Sequence, residues 1–272
     1  MNTDPIGIFD SGIGGLTVAK AIQKVLPNES FIYFGDTAHL PYGDKSPDSI
    51  RAYSKRISEL LVEHKCKAIV IACNTASAHA YKTVVKSIPS HIPVINVVDP
   101  VAAYTASHYT KGKVGVIGTK GTIHSRIYVK RIEKLNPSLK VLSNATPLLA
   151  SMIEEGYYNN KISQSIIDSY LSKSSFKGIE ALILGCTHYP LIKKEVEKFY
   201  QQKIEIIDSA SVVAQYVSDV LKKKDILNTS KRKPKYSFWV SDYTESFEKS
   251  TEIFFNQKLK LVEKRIWKDE RY

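Results

Sequence analysis

Eight short runs rich in Val and Ile, each followed by a longer amphipathic stretch, constrain this chain more than any other feature: residues 6–9, 30–34, 68–72, 93–97, 113–117, 140–143, 181–184 and 204–207. Apolar runs of this length suit strands covered on both faces, and the amphipathic connections suit crossover helices, so the pattern predicts buried parallel sheets flanked by helices. The first four runs and the last four also behave as two copies of one unit. Gly7-Ile8-Phe9-Asp10-Ser11 aligns with Gly115-Val116-Ile117-Gly118-Thr119, and residues 31–35 fall opposite 139–143 at the same offset. Ile69-Val70-Ile71-Ala72-Cys73-Asn74-Thr75 faces Leu182-Ile183-Leu184-Gly185-Cys186-Thr187-His188, and Pro93-Val94-Ile95-Asn96 faces Glu205-Ile206-Ile207-Asp208. Two similar α/β domains are expected, and 272 residues are enough for both.

One copy of the unit needs nothing after Asp208. The remainder contains a helical pattern over 210–221, a basic loop, a strand-like run at 236–240 and a last amphipathic segment reaching Tyr272. This tail is expected to pack back on the first domain, so that 1–97 plus 209–272 form one domain and 98–208 the other. The apolar runs are far shorter than the roughly 18 residues a membrane span needs, and Met1-Asn2-Thr3-Asp4-Pro5 has neither the basic nor the apolar region of a secretion signal. A cytoplasmic protein without a membrane partner is expected. The odd count of three cysteines, widely spread, argues against a disulfide framework and for free thiols. The net charge of +12 would imply a polyanionic partner only if it formed a patch. The densest runs, Lys222-Lys223-Lys224 and Lys231-Arg232-Lys233-Pro234-Lys235, are interrupted by turn-like residues and read as a solvated face. No obligatory nucleic acid is expected, although a positive field also attracts small anionic substrates such as dicarboxylates.

Ligands of open parallel sheets bind beyond the carboxyl ends of strands, where helix N-termini present free N–H groups. Cys73, Cys186, Asp10 and Asp208 fall at such ends. A helix N-terminus makes a thiol more acidic, so both cysteines are expected to ionise near neutral pH. Buried cysteines are often structural, but two at equivalent places favour function; Cys66 has no counterpart and reads as structural. Asn74, Thr75 and Thr187 offer donors suited to a carboxylate or to helix capping, and His188 stands two residues from a proposed acid/base. A Cys–His nucleophile would leave one paired cysteine unexplained, and a metal site lacks paired-ligand spacing. Gly12-Ile13-Gly14-Gly15 matches neither phosphate-binding pattern, so it is expected to let a turn approach a small ligand or the opposite domain.

The chain resembles the glutamate racemases of the aspartate/glutamate racemase superfamily, from Ile6 to about Asp208. The marks are Phe9-Asp10-Ser11-Gly12-Ile13-Gly14-Gly15-Leu16-Thr17-Val18, Gly35-Asp36-Thr37-Ala38-His39-Leu40-Pro41-Tyr42-Gly43, Ala72-Cys73-Asn74-Thr75-Ala76 and Gly185-Cys186-Thr187-His188-Tyr189-Pro190. The resemblance implies two flavodoxin-like domains facing each other across a cleft, no cofactor and no metal, a homodimer, and production of D-glutamate for peptidoglycan. It implies Cys73 and Cys186 as the two catalytic acid/bases, Asp10 and His188 as their helpers, and Glu154 as a further carboxylate near the second thiol. Asp10-Ser11, Tyr42-Gly43, Asn74-Thr75 and Thr187-His188 resemble the substrate-contacting pairs, with Thr119 and Thr122 beside them. Thr146 stands where many relatives have Cys, which touches local packing only. His-Tyr-Pro after Thr187 favours glutamate; the competing readings are racemisation of aspartate or another amino acid, and a nucleic-acid-binding protein using its basic tail.

Overall fold

The computed structural model describes residues 2–230 and 232–267. The first four apolar runs become β1 (Ile6–Asp10), β2 (Phe31–Gly35), β3 (Ala68–Ile71) and β4 (Val94–Asn96). The last four become β5 (Gly112–Gly118), β6 (Leu139–Ala145), β7 (Ala181–Gly185) and β8 (Glu205–Asp208). Every pairing is parallel, and the order β2-β1-β3-β4 in one sheet repeats as β6-β5-β7-β8 in the other. Strands β1, β2, β3 and β7 are buried throughout, which is why they carry Val, Ile and Phe without polar alternation.

The register shows how far the repeat extends. Gly7 pairs with Ile69 and Ile69 with Val94, while Gly115 pairs with Leu182 and Leu182 with Ile206, so three strands of each unit correspond residue for residue as the sequence aligns them. The second strand does not. Gly7 pairs with Ile32 but Gly115 with Leu142, so Ile32 corresponds to Leu142 rather than to Lys140. A slip of two leaves every side chain on its own face, and β6 is a half-exposed edge strand, so its apolar pattern carried too little information to set the offset.

The segment after Asp208 returns to the first sheet. Asp208 caps the helix Ser209–Lys223, its Oδ1 accepting from the Ala210 N–H at 2.9 Å, and this helix packs on the helix Leu16–Val25 and on Val98–His108. Strand β9 (Tyr236–Val240) pairs with β2, and β10 (Val262–Glu263) extends the sheet beyond it. The helix Glu245–Phe255 lies between them. Lys231 of the basic loop and residues 268–272 of the last expected segment lie outside the described residues. Away from the strand carboxyl ends, the tail is pinned by a buried ion pair. Lys67 Nζ lies 2.7 Å from Glu29 Oε2, both side chains 2% exposed, and the Asn228 N–H donates to Glu29 Oε1 at 2.7 Å. Among the described residues no helix is long and apolar enough to cross a membrane.

Candidate active site

The carboxyl ends of the two sheets face each other. In each sheet the chain reverses direction of travel around the first strand, β1 or β5, and such switch points are where parallel sheets hold ligands. A cavity of about 40 Å³ lies between them, room for about three waters. Ser11, Tyr42, Gly43, Cys73, Asn74 and Thr75 line it from the first sheet, and Thr119, Glu154, Cys186, Thr187 and His188 from the second. Gly12, Leu40, Pro41, Ala150 and Ser151 complete the wall. Asp10 lies directly behind the wall, and so does Thr122, whose hydroxyl bonds to Thr119 at 3.0 Å. Asp208 ends its strand but faces a separate groove with Tyr104 and Tyr216, where it serves as a helix cap.

Cys73 occupies the N-cap of the helix Asn74–Ser87; its sulfur accepts from the Ala76 N–H at 3.4 Å and donates to Ser11 Oγ at 3.7 Å. The helix does not make it acidic. Burial first, and then the charge of Asp10, push the thiol from 9.0 up to about 12, overriding the helix N-terminus and reversing the expectation for this residue. Asp10 is fully buried. Its Oδ2 accepts from Gly15 N–H at 2.9 Å and Gly12 N–H at 3.2 Å, and its Oδ1 has no partner. Burial raises its own carboxyl above the ordinary range, against the opposing pull of His188 and these N–H groups.

The second thiol has different company. Cys186 follows β7, but no α-helix starts there: a short 3-10 turn, Tyr189–Ile192, comes first and the helix begins only at Lys193. The helix N-terminus expected at this thiol is therefore absent, because the compact turn comes between. His188 takes its place. Its Nδ1 lies 3.5 Å from Cys186 Sγ, and its Nε2 lies 2.8 Å from Glu154 Oε1, at the end of the helix Pro147–Glu154. Burial disfavours the imidazolium, but a negative sulfur at Cys186 and the Glu154 carboxylate outweigh it and raise His188 well above 6.5. The Gly12–Gly15 turn meets the opposite domain here, since a Cβ on Gly14 would stand 2.4 Å from His188 Cε1.

Two thiols thus stand on facing walls of one cavity, each with a titratable neighbour. Residues 16–217 fit the model of the family described as Asp/Glu/Hydantoin racemase. The chain belongs to this family. Curated relatives include the glutamate racemase of Geobacter metallireducens, 41% identical with 93% of each chain covered, and that of Chlorobaculum tepidum, 42% identical with 95% of each covered. Among solved structures, the glutamate racemase of Francisella tularensis in complex with D-glutamate superposes with a TM-score of 0.91 at 39% identity, covering 98% of this chain and 99% of that one. The aspartate racemase of Picrophilus torridus, 20% identical with a TM-score of 0.57 over 82% of this chain and 94% of that one, shares the fold. The chain is thus an enzyme, a racemase.

In this racemase, hydroxyls stitch the seam between the sheets. Thr75 Oγ1 lies 2.9 Å from Thr119 Oγ1 and 3.2 Å from Thr122 Oγ1, and Thr17 donates to the Thr187 carbonyl at 2.9 Å. The Tyr128 hydroxyl donates to Asn74 Oδ1 at 2.7 Å and leaves the buried Nδ2 of Asn74 without a partner; a free amide donor in the cavity wall is suited to a carboxylate. The Tyr42 hydroxyl is engaged by Asp36 at 2.6 Å. Thr146 bonds the Tyr189 hydroxyl at 2.7 Å behind the wall. Cys66 lies under Gly7 in the first core, away from the cavity lining, and burial pushes it up to about 12. Among the described residues no three His, Cys, Asp or Glu side chains cluster so as to hold a metal ion.

Proposed function

We propose that this racemase interconverts L- and D-glutamate by moving a proton between Cys73 and Cys186, without a cofactor or metal. The observation that carries the reading is the entry of one cysteine from each sheet, at equivalent strand ends, into one cavity. The glutamate racemases among its relatives, and the D-glutamate complex of one of them, support the substrate.

The partners divide the labour. Cys73 is held as a thiol, so the resting site can deliver a proton from that wall. Cys186, 3.5 Å from His188 Nδ1, is the base that takes the α-proton from the other face. Transfer leaves Cys186 as the thiol and Cys73 as the thiolate, which is the form required for the reverse reaction, and Asp10 is placed to take up or return the proton on the Cys73 side. Glu154 holds the imidazole ring in line. An amino acid α-proton is very weakly acidic, and a turnover of about 1 to 1000 per second requires a barrier of about 13 to 17 kcal/mol. Asn74 Nδ2, the Thr75 and Thr187 hydroxyls and the N-terminus of the helix Asn74–Ser87 stabilise the carbanion through its carboxylate in a narrow cavity.

The same reading makes 1–97 plus 209–272 one domain and 98–208 the other, closing on the ligand between them. It also makes the working enzyme a cytoplasmic homodimer that supplies D-glutamate to peptidoglycan. Circular dichroism of L-glutamate and of D-glutamate, each incubated with metal-free protein, tests the activity: both signals decay to zero. Cys73→Ala and Cys186→Ala each lose that decay while keeping the folded spectrum. Decay with aspartate alone would reassign the substrate, and a single cysteine variant with near-normal turnover would remove the two-thiol mechanism.

A further inference from the structure

The proton-transfer chemistry leaves one wall of the cleft unexplained. Leu40, Pro41, Tyr42 and Gly43 line the cavity from a loop whose regular structure amounts to two single 3-10 turns, Thr37–His39 and Tyr42–Asp44. Such a loop has few backbone bonds of its own to fix it. Its fixed point is Asp36, fully buried at the end of β2. The Tyr42 hydroxyl donates to Oδ2 at 2.6 Å, the Ser241 hydroxyl to Oδ1 at 2.7 Å and the Trp267 indole N–H to Oδ1 at 3.0 Å, while His39 Nδ1 stands 3.0 Å from Oδ2. A carboxylate only accepts, and these four neighbours occupy both of its oxygens.

Two of the four donors belong to the returning tail. Ser241 follows β9 directly and also accepts from the Ala38 N–H at 2.9 Å, and the Asp242 N–H donates to Thr37 Oγ1 at 3.0 Å. Trp267 adds its ring: His39 meets it edge-on with centroids 4.6 Å apart and stacks on Tyr53 at 4.0 Å. On its far side the loop touches the second sheet's domain, where a Cβ on Gly43 would stand 2.9 Å from Thr119 and Lys120 Nζ lies 3.3 Å from Asp44. The loop therefore spans from the tail to the opposite wall of the cleft.

We infer that Asp36, Ser241 and Trp267 are positioning residues for the substrate, through which the C-terminal segment holds the 37–44 loop as a wall of the binding site without entering the proton path. This rests on the glutamate-racemising reading of the cleft. It gives the tail, which lies outside the repeated unit, a part in substrate binding.

Steady-state kinetics of Trp267→Ala, Trp267→Phe and Ser241→Ala, in both directions, test it. Loss of one donor to a buried carboxylate weakens what it holds about tenfold. KM for both enantiomers is expected to rise about tenfold in Ser241→Ala and Trp267→Phe, each of which loses one donor, and further in Trp267→Ala, which also loses the ring against His39, while kcat changes less than twofold. A purely structural role would lower the amount of active enzyme, reducing kcat with KM unchanged; that result, or unchanged kinetics in all three variants, overturns the inference. Trp267→Phe and Ser241→Ala keep the test open if Trp267→Ala does not fold. The wild-type protein's activity on glutamate judges the underlying reading separately, because the inference is read only from the ratio of variant to wild-type KM.

Discussion

Replacing Asp10 with Asn separates the two causes that keep Cys73 protonated. The thiol is pushed from 9.0 to about 12, by burial first and by Asp10 second. At pH 8 a thiol at 12 is ionised in about one molecule in 10⁴, against about one in ten for a thiol at 9.0. A neighbouring like charge in a buried site accounts for roughly one or more of the intervening decades. Asp10→Asn preserves the shape and removes that charge, so it should raise the Cys73 thiolate fraction at least about tenfold while burial still holds the thiol above 9.0. The assay is the rate of iodoacetamide alkylation between pH 7 and 9, read by mass spectrometry of the Cys73 peptide. Cys66 is the internal reference, because burial and Asp4, not Asp10, push it up to about 12. The expected result is a Cys73 rate that climbs tenfold per pH unit in both proteins and is at least about tenfold higher in the variant, with Cys66 unchanged. Equal Cys73 rates in the two proteins, or a rate that levels off near pH 7 in the wild type, would refute the reasoning.

Two further predictions follow from close contacts. Gly14→Ala places a methyl 2.4 Å from His188 Cε1 and 2.7 Å from Thr187 Oγ1, so the imidazole must leave its line between Cys186 and Glu154; racemisation should fall about 10²-fold, while the circular dichroism spectrum stays that of the folded protein. Lys67→Met leaves Glu29 buried with its charge uncompensated, and urea unfolding should show a loss of about 3 to 5 kcal/mol, much of it regained in the Lys67→Met, Glu29→Gln double variant; a loss under 1 kcal/mol would show that the pair does not pin the tail.

The runs of Val and Ile were legible as strands because burial on both faces removes polar residues from them, and the matched cysteines revealed the repeat because both close a buried strand, β3 or β7. The edge strand β6 was aligned two residues out, since alternating burial cannot distinguish shifts by its own period. Strand β10, two exposed residues long, is too short to stand out within the last amphipathic segment. At the site, the residues next to each thiol could be named from their motifs, but their influence could not. Whether a helix N-terminus or burial decides the acidity of Cys73 depends on how completely the fold surrounds it, and after Cys186 a 3-10 turn stands where the pattern predicts a helix start. Asp36 lies in a recognisable motif, yet its partners Ser241 and Trp267 are 205 and 231 residues away, a separation no local pattern spans. Ala150 and Ser151 entered the wall because the helix that carries Glu154 lies against the cleft, and nothing in their own side chains marks them.

The unlike surroundings of the two thiols have a kinetic consequence. Enantiomers have equal free energy in water, so the quotient kcat/KM must be the same in both directions for any variant of a racemase, however lopsided its site. The difference between Asp10 behind one sulfur and the His188–Glu154 pair behind the other is therefore invisible in that quotient. Under the proposed two-thiol mechanism it resides instead in the balance between two forms of the empty enzyme, one with the mobile proton on the Cys73 wall and one with it on the Cys186 wall. On that proposal, return between those forms without a passenger becomes, at high substrate, a step of the cycle in its own right.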